Sequence, residues 1–175
     1  MQSLKIALTI IIALLLQMVL PKHLAFVRYI DFPLLITVYF SLQRAPVLGM
    51  VVGIFGGIGA DAIAGGTLGV RGFANTLLGY LVATVSIRFS LEHPLARLGV
   101  VVVASAAKTV LFAGLTLMLE QKLPYTSAWT EFGKATGRGI LFDSLASVAV
   151  FLLLDRVFPE QPAARRMAIK RRFYE

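Results

Sequence analysis

Apolar residues along this chain come in long runs, separated by short joints where Pro, Gly, Lys and Arg gather. A helix that crosses hydrocarbon needs about 20 mostly apolar residues, because roughly 30 Å is covered at about 1.5 Å per residue. Six stretches are read as spans on that measure: about Leu4 to Leu20, Ile30 to Gln43, Val47 to Gly65, Phe73 to Phe89, Ala96 to Leu119 and Gly137 to Leu154. The first is closed by Pro21-Lys22 and resembles a secretory signal in its single basic residue and apolar run. No small-x-small cleavage site follows it, so it is read as an uncleaved span. The second is short and opens at Asp31-Phe32-Pro33, where Pro suits a first helical turn. It is expected either to start nearer Ala25 or to lie half-buried in protein. The fold expected is an all-α bundle of six transmembrane helices over residues 1–158, followed by a basic cytoplasmic tail over 159–175.

Composition points the same way. The 175 residues are 58% apolar and 15% charged, more apolar surface than a soluble domain of this size could hide. The absence of Cys removes disulfides, iron–sulfur clusters, thiolate zinc sites and thiol nucleophiles together. A net charge of +8 would suggest nucleic acid in a soluble protein. Here the basic residues sit between and after apolar runs, so they are read as topology signals and no nucleic-acid partner is expected. With six spans both termini share a side, which collects Lys5, Arg44, Arg88, Arg97, Arg156, Arg165, Arg166, Lys170, Arg171 and Arg172. The other side collects Lys22, Arg28, Arg71, Lys122, Lys134 and Arg138, so the larger positive charge places both termini in the cytoplasm. Most of the asymmetry comes from the tail, and a re-entrant second segment would instead put the N-terminus outside.

The third span carries Gly49, Gly53, Gly56, Gly57, Gly59 and Ala60. At about 100° per residue Gly49, Gly53, Gly56 and Ala60 form one narrow stripe, with Gly57 beside it, along which another helix backbone can approach closely. Packing inside the bundle and a face for another protein both use such a stripe, and the first is the commoner use. The glycines from Gly65 to Gly69 suit a left-handed cap and a tight turn. They lack the Lys-Ser/Thr pair and the immediately following helix of a phosphate-cradling loop.

Asp61, Lys108 and Asp143 fall inside spans, where a charge costs a few kcal/mol and is expected to face the bundle interior with a partner. Their depths favour pairing Lys108 with Asp143, and Asp61 with Arg71 or Arg138. A proton or ion relay would use such groups, but one Lys and two Asp make a short conduit, and a structural ion pair that fixes helix register is the simpler reading. His23 and His93 lie in loops on opposite sides and can form no triad or metal site. Glu120, Glu131 and Asp143 have no spacing that singles them out for glycosidic chemistry. No catalytic residue, cofactor or metal is expected. In the tail, Arg165, Arg166, Lys170, Arg171 and Arg172 place five basic residues within eight positions, suited to anionic lipid at the membrane surface and to fixing orientation.

The order of features from Asp31-Phe32-Pro33-Leu34-Leu35-Ile36, through Gln43-Arg44-Ala45-Pro46 and Gly53-Ile54-Phe55-Gly56-Gly57-Ile58-Gly59-Ala60-Asp61, to Gly65-Gly66-Thr67-Leu68-Gly69 and Gly79-Tyr80-Leu81 resembles the rod shape-determining protein MreD family. Where that family often has Leu-Asp or Leu-Leu-x-Asp before the glycine turn, this chain has Gly59-Ala60-Asp61, with the Asp kept. The resemblance implies a non-enzymatic subunit of the bacterial elongation machinery in the cytoplasmic (inner) membrane. The partners it implies are the bitopic protein MreC and, less directly, RodA with its transpeptidase partner and the MreB filament; a second copy of the chain is a further candidate. It also implies a fold similar to the six-helix substrate-binding subunit of energy-coupling-factor transporters, with the glycine stripe as a candidate contact for MreC. That shared fold keeps open an alternative function as the vitamin-binding subunit of an importer. Such subunits dock through Ala-x-x-x-Ala on the first helix, whereas Ala7 and Ala13 here are six apart and on opposite sides of a helix.

Overall fold

The computed structural model describes residues 2–65, 67–89, 91, 93–119 and 129–158. The tail residues Arg165, Arg166, Lys170, Arg171 and Arg172 lie outside the described residues. Among the described residues six α-helices follow one another: α1 Gln2–His23, α2 Phe32–Leu42, α3 Pro46–Ala64, α4 Val70–Arg88, α5 Pro94–Met118 and α6 Trp129–Val157, with a 3-10 turn at Ala25–Tyr29 between α1 and α2. No strand occurs among the described residues. Pro opens α3 and α5 and stands in the first turn of α2, positions where its missing N–H has no helical acceptor to lose. Four helices, α1, α3, α4 and α5, are long and apolar enough to cross a membrane. α6 has 29 residues and carries Arg138, Asp143, Asp155 and Arg156 among its apolar ones. The chain is a multi-pass membrane protein.

The second stretch is shorter than a span. Its helix has 11 residues, which rise about 16 Å, roughly half the depth of a hydrocarbon core. Every residue from Phe32 to Ser41 is buried, because α1, α3, α4, α5 and α6 all pack around α2. Its interior hydroxyls are closed within the helix: Thr37 donates to the Pro33 carbonyl and Ser41 to the Thr37 carbonyl, each at 2.7 Å. Arg44, in the tight turn to α3, takes a left-handed φ of 62°.

α3 and α4 form a close antiparallel pair, turned by Gly65 at φ 65° and Gly69 at φ 100°, values a side chain would resist. The glycine stripe makes this pair. A Cβ on Gly53 would sit 2.6 Å from the Asn75 carbonyl oxygen, one on Gly57 2.5 Å from that of Arg71, and one on Gly49 2.9 Å from that of Gly79. Gly56 faces Pro33 of α2, and Ala60 is 3% exposed. The stripe proposed as a contact for a partner is therefore occupied by the chain's own helices. Small residues were needed there because two backbones lie in direct contact, while Val47, Val51, Phe55 and Ile58 on the other side of α3 stay exposed.

The start of α1 and the end of α6 lie at the same end of the bundle, where Lys5 and Val157 wall one groove.

Candidate functional site

Because α2 begins inside the bundle, its first N–H groups need acceptors there. Each of them finds one. The Asp31 N–H donates to Asp143 Oδ1 of α6 at 2.8 Å, and the Phe32 N–H to Gln17 Oε1 of α1 at 3.1 Å. Pro33 has no N–H; the Leu34 N–H donates to Asp31 Oδ1 at 3.0 Å, and the Leu35 N–H to the Asp31 carbonyl at 3.0 Å. Asp31 is thus an N-cap, and carboxylates also suit the positive end of a helix dipole.

Lys108 of α5, 7% exposed, closes the cluster by an ion pair with Asp31 Oδ2. Asp143, 3% exposed, takes its second hydrogen bond from Ser105 Oγ to Oδ2 at 2.6 Å. The pairing of Lys108 with Asp143 is therefore corrected: the ammonium bonds to Asp31, and Asp143 bonds to backbone and hydroxyl. Depth alone compared Lys108 with Asp61 and Asp143 and left out Asp31, which the shortness of α2 brings to the level of Lys108.

Asp61, also 3% exposed, stands across the glycine turn from the start of α4. Its Oδ2 accepts the N–H groups of Gly69, Arg71 and Gly72 at 2.8, 3.0 and 3.4 Å. The Arg71 guanidinium lies 3.8 Å from Oδ1 and donates to the Ala60 carbonyl at 3.2 Å. One carboxylate thus holds the end of α3 to the beginning of α4. Of the two partners considered for Asp61, Arg71 is the one in contact.

Beside the Asp31 cluster a cavity of about 210 Å³ is walled by the 3-10 turn, the start of α4, the middle of α5 and α6. Arg28, Arg71 and Lys108 contribute cations to its wall, and Asp31 and Asp143 contribute carboxylates. Among the described residues no group of three or more His, Cys, Asp and Glu could hold a metal ion. His93 caps α5 through a 3.4 Å acceptor contact from the Leu95 N–H, and His23 ends α1.

The family model described as rod shape-determining protein MreD matches residues 1–153. The chain belongs to the MreD family. Its role is accordingly connected with cell shape, and the match includes Asp31, Asp61, Lys108 and Asp143. Among curated proteins and among solved structures, none matches the chain.

Three further polar groups of this MreD-family chain escaped the reading of its sequence. At the end of the bundle opposite the glycine turn, the Tyr39 hydroxyl donates to Asp155 Oδ1 at 2.9 Å and Arg97 to Asp155 Oδ2 at 3.1 Å, tying α2, α5 and α6 together. Nearby, Ser86 Oγ donates to the Leu42 carbonyl at 2.9 Å, where α2 has no further turn to supply an N–H donor. Asn75 of α4 is fully buried, and among the described residues neither its side-chain nitrogen nor its oxygen has a hydrogen-bond partner. Gln17 could have been found as an amide inside the first apolar run. Asp155 and Arg97 sit at helix ends, where sequence alone does not separate them from ordinary surface charges.

Proposed function

We propose that this chain is a non-enzymatic scaffold of the elongation (rod) complex in the bacterial cytoplasmic membrane. It binds MreC and, with it, helps control cell shape and sidewall peptidoglycan synthesis. RodA with its transpeptidase partner and the MreB filament are partners at one remove, and the fold resembles the substrate-binding subunit of energy-coupling-factor transporters. Both termini lie in the cytoplasm, with the basic tail against anionic lipid. The observation that carries this reading is the match to the MreD family over residues 1–153.

Two features support it. The Asp31–Asp143 and Asp61 clusters bond to helix-terminal N–H groups and the Asp155 cluster ties three helices together, which suits a rigid body that presents surfaces. α1 packs along one side only, and Leu4, Leu8, Ile11, Ile12 and Leu15 face outward. An almost wholly apolar groove of about 460 Å³ runs between α1 and α6 over Phe32 and Ile36 of α2. The single transmembrane helix of MreC is the occupant proposed for it: the groove follows α1 from Lys5 to Leu16, about 16 Å of helix rise.

The test is affinity capture of the tagged chain from bacterial membranes that also carry MreC. MreC is expected in the eluate of the parent chain, and Ile12→Trp, which fills the groove, is expected to reduce its recovery severalfold at unchanged folded amount. Capture of folded chain without MreC would overturn the scaffold reading; full recovery with Ile12→Trp would remove the groove from the interface.

A further inference from the structure

The cavity beside Asp31 has a surplus of donors over acceptors. Each carboxylate oxygen on its wall already has a donor: Asp31 Oδ1 from Leu34, Asp31 Oδ2 from Lys108, Asp143 Oδ1 from the Asp31 N–H and Asp143 Oδ2 from Ser105. The cations are less used. An ammonium has three N–H donors and a guanidinium five. Lys108 spends one on Asp31, and Arg28 makes no hydrogen bond or ion pair with any described residue. Arg71 directs Nε and one Nη toward Asp61 and Ala60, so the remaining guanidinium nitrogen is unengaged within the described residues.

These three cations come from three separate elements, the 3-10 turn, α4 and α5, and converge on one cavity. Donors that converge from several directions match an anion with several oxygens, and guanidinium forks match phosphate in particular. The volume of about 210 Å³ equals roughly seven waters at about 30 Å³ each, enough for a phosphate group and a few attached atoms.

We propose that this cavity binds a phosphate group through Lys108, Arg28 and Arg71. The phosphate belongs either to the headgroup of an anionic phospholipid or to a soluble phosphate species. This goes beyond the scaffold reading and does not depend on it.

Thermal unfolding of the purified full-length chain in neutral detergent tests the proposal. One arm titrates sodium phosphate against sodium chloride at matched ionic strength. The other compares micelles doped with dioleoylphosphatidylglycerol and with dioleoylphosphatidylcholine. Arg28 is exposed and unpaired among the described residues, so Arg28→Gln is expected to fold normally and to weaken the apparent affinity at least fivefold, with Arg28→Lys restoring much of it. Arg88→Gln, which removes the same charge from the far end of α4, is expected to bind as the parent does. Saturable stabilisation by sodium phosphate that needs Arg28 identifies the soluble source; stabilisation by phosphatidylglycerol alone that needs Arg28 identifies the headgroup. A response to neither probe beyond its control, or equal responses from Arg28→Gln and the parent, would overturn the proposal.

Discussion

The backbone N–H of Asp31 and the carboxylate of Asp143, 112 positions apart in the chain, meet at 2.8 Å in the interior of the bundle. That contact exists because α2 is too short to bring its first turn to water. A buried helix terminus needs acceptors from elsewhere, and α6 supplies one. The buried carboxylate is therefore explained by where a helix starts.

Asp143→Ala is expected to leave the Asp31 N–H and the Ser105 hydroxyl without their acceptor, at a cost of about 1–3 kcal/mol for each group that finds no substitute. Asp143→Asn keeps an acceptor oxygen and should lose less. The midpoint of thermal unfolding in detergent orders the three proteins as parent, Asn, Ala; an Ala variant as stable as the parent would remove Asp143 from the cap.

At the glycine turn, Asp61→Ala removes the acceptor shared by three backbone N–H groups and one guanidinium. The expected loss is about 1–3 kcal/mol, the scale of an unsatisfied buried donor or a lost N-cap. Amide exchange should quicken first at Gly69, Arg71 and Gly72, ahead of the middle of α4. Uniform exchange along α4 would contradict the assignment.

Two glycine substitutions separate backbone contact from mere helix propensity. Gly53→Ala would push a Cβ to within 2.6 Å of the Asn75 carbonyl and must part α3 from α4; overpacking of this sort costs about 1–3 kcal/mol. Gly99→Ala meets nothing within 4 Å in α5 and should be neutral or slightly stabilising. Equal effects in a denaturation series would refute the close approach.

Asn75 has both side-chain polar atoms buried without partners among the described residues. An apolar side chain of similar size, Asn75→Leu, is expected to match or exceed the parent in stability, since no hydrogen bond is lost and an unpaired amide is removed. Marked destabilisation, read as a lower unfolding midpoint, would show that the amide has an acceptor or donor in the membrane-embedded protein.

Much of this fold was legible because bilayer thickness imposes a length on apolar runs, and the runs of α1, α3, α4 and α5 satisfy it. The glycines of α3 announced a close helix contact, and their spacing placed them on one face. The identity of the neighbour was not written in the pattern: α4 and an outside helix make the same demand for small residues. Lys108 and Asp143 were recognisable as interior groups because charges are costly there. Their true relation depended on Asp31, whose depth follows from the tertiary packing around α2 and not from any local signal. Tyr39, Arg97 and Asp155 met only when three helices converged, and no spacing in the sequence marks that meeting.

The central structural claim is that buried charges hold the short α2 in place, and a double-mutant cycle on Asp31 and Lys108 tests it most directly. Unfolding free energies would be measured for the parent, Asp31→Asn, Lys108→Met and the double variant. Lys108 is buried and the Asp31 side chain is 30% exposed; a hydrogen bond to a charged group is worth about 1.5–3 kcal/mol, so each single change should be marked and the double variant should recover much of the sum, with a coupling of at least about 1 kcal/mol. Strictly additive losses would mean that the two side chains do not support each other, and would contradict the account.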